Sequence, residues 1–170
     1  MTFNKRTDAV KEAFSQQGLD GMYVTNLTNV RYLTGFTGSA GSLLLLDKEN
    51  HFFTDGRYIE QSKEQVKNCK IHIVGSAHYL AIKKQKLIHG NFKIGFESDC
   101  VSIALFDAIS ETLPNIHLIK TSGIIEKIAA VKDQLEIDSL KTAIEITDTV
   151  FSQIIPELKV GAVEKEISAK

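Results

Sequence analysis

Apolar residues change period several times along the first 120 positions, and the changes predict helices alternating with strands. Phe3, Val10, Ala13 and Phe14 fall on one helical face, with Gly18 placed as a C-cap. Asp20-Gly21 turns the chain into a β-prone run at 22–25, and a polar loop and a glycine-rich stretch lead to Ser42–Leu46. Asp47-Lys48-Glu49-Asn50 forms a turn, so 51–54 folds back as a hairpin strand and the sheet is mixed rather than purely parallel. Ile59, Ser62 and Val66 mark a helix running from Asp55 to about Asn68. Strands at 70–74, 92–96 and 115–119 alternate with helices at 79–89 and after the N-cap Ser102, which carries Leu105, Phe106 and Ile109. The expected fold is α/β, a three-layer mixed β-sheet flanked by helices.

The last third reads differently. Ile137, Leu140, Ile144, Phe151 and Ile154 form one broad stripe on a long amphipathic helix from Gln134 to about Ile155. Pro156 interrupts it, and a new helical pattern at 163–169 stops without a cap. The expected division is a domain over 1–132, then a linker helix and the beginning of a second domain, cut short, over 133–170.

Composition narrows the functional classes. The 170 residues are 43% hydrophobic and 24% charged with a net charge of -1, so no global positive field favours nucleic acid. The longest apolar run, 43–46, is far too short for a membrane span, and the N-terminus has no apolar signal-like core. Cys69 and Cys100 lack metal or redox spacing and read as buried reduced thiols of a cytoplasmic protein.

Candidate chemistry is sparse. The glycines at 35, 38 and 41 are spaced three apart and run into a strand, unlike the phosphate motifs that open a helix. Their simplest use is a tight loop needing positive φ or close packing. Asp55 stands at a strand-to-helix junction, where a carboxylate caps orphan N–H groups. Arg57, in the first turn, opposes the helix dipole and so has a local acid, a partner or a substrate carboxylate to meet. Glu97 and Asp99 follow a strand and would make a two-carboxylate site with Asp55 only if one cleft held them all. The five histidines, at 51, 72, 78, 89 and 117, never take H-x-x-x-H or H-x-H spacing. From the residues alone, the chain is an α/β domain without an active site of its own.

Five motifs together resemble a known family. Residues 29–39, Asn-Val-Arg-Tyr-Leu-Thr-Gly-Phe-Thr-Gly-Ser, are similar to the N-x-x-Y-L-T-G-F-x-G-S loop of the creatinase/prolidase N-terminal domain. Residues 53–58 resemble its strand-to-helix D-G-R-Y step, and 94–97 its I-G-x-E strand. Val131-Lys132-Asp133 with Glu136, Ile137, Leu140, Lys141 and Ala143 resembles the linker and the first helix of the catalytic half. Leu158, Gly161, Glu164 and Ile167 resemble the helix after it. Ala129 and Ala130 depart from the pattern, which often has Arg shortly before the Val-Lys step.

The resemblance implies an RNase-H-like N-terminal domain, without nuclease chemistry, in a cytoplasmic Xaa-Pro dipeptidase or aminopeptidase P. Such a parent hydrolyses the peptide bond before proline, with two divalent metals, manganese or cobalt, on ligands expected beyond Lys170. The chain itself is then inactive, with no metal or catalytic residue of its own. Its implied role is to mediate a homodimer and to restrict the access of proline-containing peptides. Asn29, Tyr32, Phe36, Arg57 and Tyr58 are the expected substrate-access wall, or else they brace the glycine loop against the sheet. The alternatives are a pseudo-enzyme protein-binding module of the same architecture and a creatinase-type amidinohydrolase.

Overall fold

The computed structural model describes residues 2–75 and 77–169, which divide into two compact units, 2–131 and from Lys132 onward. The first unit opens with α1 (Phe3–Gln16), capped by the Thr2 hydroxyl, followed by β1 (Gly21–Val24). Then come α2 (Leu27–Thr34), β2 (Ser42–Leu46) and β3 (Asn50–Thr54). A 3₁₀ turn at Gly56–Tyr58 leads into α3 (Ile59–Gln65), β4 (Lys70–Ile73), α4 (His78–Lys84) and β5 (Lys93–Glu97). The unit finishes with α5 (Ile103–Thr112), β6 (His117–Thr121) and α6 (Ile124–Ala130).

The strands form one six-stranded mixed sheet in the order β4-β3-β2-β1-β5-β6. Only β2 runs against its neighbours. It pairs antiparallel with β1 and β3, whereas β1–β5, β5–β6 and β3–β4 are parallel. The C-terminal ends of five strands therefore emerge along one edge.

Each face of the sheet is covered. Met22, Val24, Leu43, Leu45 and Phe52 pack under Val10 and Phe14 of α1, Val30 and Leu33 of α2, and Ile124 and Ile125 of α6. Tyr23, Leu44, Phe53 and Ile94 face the other way, against Ala81 and Ile82 of α4 and Ile109 of α5. Full burial of each large side chain contributes about 1.5–3 kcal/mol, and adjacent residues of one strand serve opposite layers because strand side chains alternate. This is the three-layer mixed α/β architecture expected from the sequence.

Several local expectations change. The segment expected to be a polar loop holds α2, where the Asn26 side chain accepts from the Thr28 N–H and Leu27, Val30 and Leu33 recur at helical spacing. Helix α6, from the left-handed Gly123, had no counterpart in the sequence reading. β6 lies two residues later than expected, α4 ends at Lys84 rather than at 89, and the helix expected from Asp55 begins as a 3₁₀ turn. Cys69 is half-buried with its thiol pushed up to about 12 by burial, but Cys100 is exposed, so the expectation of two buried thiols fails for Cys100.

The second unit, taken by itself, is α7 (Gln134–Ile154), a 3₁₀ turn containing Pro156, and the short α8 (Glu164–Ser168). Asp133 and Glu136 close a full capping box at the start of α7. No helix among the described residues is long and apolar enough to cross a membrane.

Candidate functional site

The edge where the five strands end carries most of the residues singled out by sequence, in two separate clusters. The first lies where β1 and β5 meet. Glu97, the last residue of β5, is buried and accepts from the backbone N–H groups of Thr25 (2.7 Å) and Asn26 (2.9 Å) through Oε2. Its Oε1 accepts from Asn29 Nδ2 at 2.7 Å, and the same amide nitrogen donates to Glu126 Oε1 at 2.6 Å. Asn29 thus joins α2, the β5 terminus and α6, and the carboxylate satisfies N–H groups that the start of α2 leaves orphaned.

The second cluster is the loop at 35–41. Gly35 ends α2 in the left-handed region at φ 81, donating its N–H to the Arg31 carbonyl, and a Cβ there would lie 2.7 Å from the Phe3 ring. Phe36 is 1% exposed, its ring 4.8 Å from Phe52 and edge-on to Tyr58 at 5.4 Å. Tyr58 reaches over the loop, where its hydroxyl is 2.7 Å from Ser39 Oγ and accepts from the Ser39 N–H. A Cβ on Gly38 would collide with the Phe36 and Tyr58 rings, so the glycine admits the aromatic pair. Thr54 Oγ1 donates to the Ala40 carbonyl at 2.6 Å and ties the far side of the loop to β3.

Beside this loop, Asp55 accepts from the Arg57 N–H as the cap of the 3₁₀ turn and pairs with the Arg57 guanidinium at 2.7 Å. The Arg57 contacts hold the Asp55 carboxyl at about 2. The Arg57 side chain remains 67% exposed and lies over the Tyr58 ring at 5.2 Å. Of the five wall candidates, Phe36, Arg57 and Tyr58 come together here. Asn29 belongs to the Glu97 cluster, and Tyr32 stacks on the Arg6 guanidinium of α1 at 4.4 Å. Phe36 points into the core, and the solvent face of the group consists of Arg57 and the Tyr58 edge of the loop. The three acids do not converge: Asp55 follows β3 and Glu97 ends β5, with β2 and β1 between them, roughly 14 Å of sheet. Asp99 instead accepts from the Ser122 hydroxyl.

Sequence spacing missed a histidine cluster on the α4 side of the sheet. His51 Nδ1 lies 3.0 Å from His72 Nε2, and His72 stacks on Phe53. His78 Nδ1 meets Ser42 Oγ at 2.9 Å, and that hydroxyl meets the buried Tyr23 OH at 3.1 Å. Burial lowers all three histidine pKa values and pushes the Tyr23 phenol up to about 12. The available signal was strand register: β3–β4 pairing sets His72 opposite Phe53, next to His51.

The creatinase/prolidase N-terminal domain family matches residues 6–131, nearly the whole first unit and both clusters. The chain belongs to this family. It is 33% identical over 159 residues to the uncharacterized peptidase YqhT of Bacillus subtilis, covering 94% of this chain and 45% of that protein. The solved Xaa-Pro dipeptidase from Bacillus anthracis superposes with a TM-score of 0.89 at 32% identity, over 99% of this chain and 47% of that one. The N-terminal domain of the cytoplasmic peptidase PepQ from Mycobacterium tuberculosis superposes with a TM-score of 0.66 at 36% identity, over 72% of this chain and 97% of that one. The chain thus spans about half the length of the longer relatives it matches.

The metal pair implied by the family resemblance finds no ligand set here. Among the described residues no three His, Cys, Asp or Glu side chains are grouped to hold an ion. The edge acids already have protein partners: Glu97 the α2 amides, Asp55 the Arg57 guanidinium, Asp99 the Ser122 hydroxyl. These residues do not fit a metal centre.

Proposed function

We propose that this creatinase/prolidase N-terminal domain is the non-catalytic half of a cytoplasmic Xaa-Pro peptidase, and that it limits which proline-containing peptides reach the catalytic half. The reading is supported by similarity over 99% of the chain to an Xaa-Pro dipeptidase. Cytoplasmic placement rests on the likeness to the cytoplasmic peptidase PepQ. Hydrolysis, with the divalent metals it uses, belongs to the remainder of a parent protein, which also dimerises. Within the domain, the access wall is the rigid loop at 35–41 with Arg57 beside it. Phe36 holds that wall in place from behind and Tyr58 locks its outer edge, while Asn29 and Tyr32 anchor α2 to the β5 end and to α1.

The observation that carries the wall is the state of Arg57. Asp55 fixes the guanidinium, yet most of the side chain faces solvent, leaving donors for a peptide carboxylate. The test is Arg57→Ala in the full-length parent, assayed with divalent metal on Xaa-Pro dipeptides and on Xaa-Pro-Xaa tripeptides. A changed ratio of kcat/KM between the two lengths, with unchanged folding, supports the wall. An unchanged ratio sinks it. A parent that cleaves neither peptide removes the peptidase reading and favours a protein-binding role, and turnover of creatine instead moves the chain to the amidinohydrolase branch.

A further inference from the structure

At the end of the sheet opposite the glycine loop, a cleft of about 660 Å³ opens between the end of α1, the β2–β3 turn and the connection from α4 to β5. The volume is in the range of small-molecule sites, and such sites combine an apolar lining with a few converging polar groups. Phe14, Leu19, Leu46, Leu87 and Phe92 supply the apolar lining here. His51, the buried member of the histidine pair, also borders it.

The charges around the opening are unequally engaged. Glu49 is paired with Lys70 at 2.6 Å, and Asp20 Oδ2 accepts from the Lys93 N–H at 2.8 Å. Lys11 donates to the Asp47 backbone carbonyl, and with Glu49 engaged by Lys70 the Asp20 and Asp47 carboxylates face Lys11, Lys48 and Lys86 across the mouth, an excess of one cation.

Lys86 carries a second, independent mark. It is the only non-glycine residue with a left-handed backbone among those described, at φ 52. Its N–H bonds the Lys83 carbonyl while the Leu87 N–H bonds Ile82, which makes a Schellman ending in the place where glycine is usual. The helix dipole does not require a cation there, because Lys83 and Lys84 already stand in the last turn. The strained lysine therefore occupies the rim of the cleft at a conformational cost that glycine would avoid, and such strain concentrates at binding sites.

We propose that this cleft binds a small amphipathic anion, an alkyl or aryl carboxylate whose apolar body lies against Phe14, Leu46 and Phe92 and whose carboxylate meets the Lys86 ammonium. Such a ligand has an uncharged end that matches the lining and one negative group that matches the rim. It binds far from the glycine loop, so the site is independent of the access wall.

The test is an amide-resolved NMR titration of this chain at low ionic strength with 4-phenylbutyrate, beside the neutral 4-phenylbutyramide. The expected result is saturable binding at about 1 mM or tighter, with shifts concentrated at Leu46, His51, Leu87 and Phe92. Lys86→Gly relieves the left-handed strain, so it keeps the fold while removing the cation. It should weaken the acid about tenfold, and the amide should bind the native chain more weakly by a similar factor. Ser15→Trp, filling the cleft from the α1 side, should abolish the shifts. The proposal is overturned if no saturation occurs, if shifts scatter over the surface, or if the Gly variant or the amide binds as tightly as the native pair.

Discussion

The two faces of the sheet are built from the same strands but by different chemistry. Under α1, α2 and α6, away from the Glu97 cluster at the strand ends, the face is hydrocarbon: Met22, Val24, Leu43, Leu45 and Phe52 are all nearly or fully buried. Under α4 and α5, alternate residues of those strands put Tyr23, Ser42, His51 and Phe53 into a face that also receives His72 and His78. Burial of polar groups is costly unless every one is bonded, so the second face depends on geometry where the first depends on volume. The glycine loop is clamped mainly from the first face, through Phe36 and Phe52, while Ser42 at its end is held by the second.

The comparison breaks most visibly at Phe52. Phe52→Ala should lower unfolding stability by about 3–5 kcal/mol, equally at pH 5 and pH 8, in denaturant melts. Ser42→Ala acts on the polar face and leaves the buried Tyr23 hydroxyl and His78 without their shared partner. The expected loss is smaller, about 1–3 kcal/mol, and the same melts measure it.

A third prediction separates the faces by pH. His51, His72 and His78 have folded pKa values below the ordinary 6.5, chiefly through burial. Around them, Lys70 and the His51–His72 contact push in the same direction, while Glu49 beside His51 and Asp55 near His78 oppose it. In the unfolded chain these groups take up protons as pH drops through about 6.5, whereas the folded chain resists, so stability falls from that pH downward. His51→Gln should make the decline shallower, and Phe52→Ala should leave its slope unchanged. Urea melts across pH 5 to 8 measure both. The smallest effect belongs to Arg57→Ala: its pair with Asp55 is exposed, so the melting midpoint should not move, and any consequence should appear only in peptide selection by the parent.

The parts legible in the sequence were those with local signals. Short apolar runs bounded by turn residues placed β1, β2 and β3, Ser102 and Asp55 served as caps, and the five motifs identified the family. Helix α2 was hidden because Thr28, Asn29 and Arg31 dilute its short apolar stripe, although Asn26 announced its start. The division of the candidate wall was hidden for a different reason. Asn29 and Tyr32 sit near Phe36 in sequence, but α2 turns Asn29 to the β5 end and Tyr32 to α1. The histidine cluster was invisible because residues 21 positions apart meet only through the β3–β4 register.

The lone reversed strand also bears on how the chain reaches this structure. β1, β2 and β3 form a meander of neighbours in sequence, whereas Met22 pairs with Gly95 across about 70 residues of intervening chain. Loop closure therefore disfavours the β1–β5 ladder until the meander exists to receive it. In pulse-labelled hydrogen exchange during refolding, the amides of β2 and β3 should gain protection before those of β5 and β6. The left-over cost falls on the crossover, where Glu97 fastens the late strand to the start of α2.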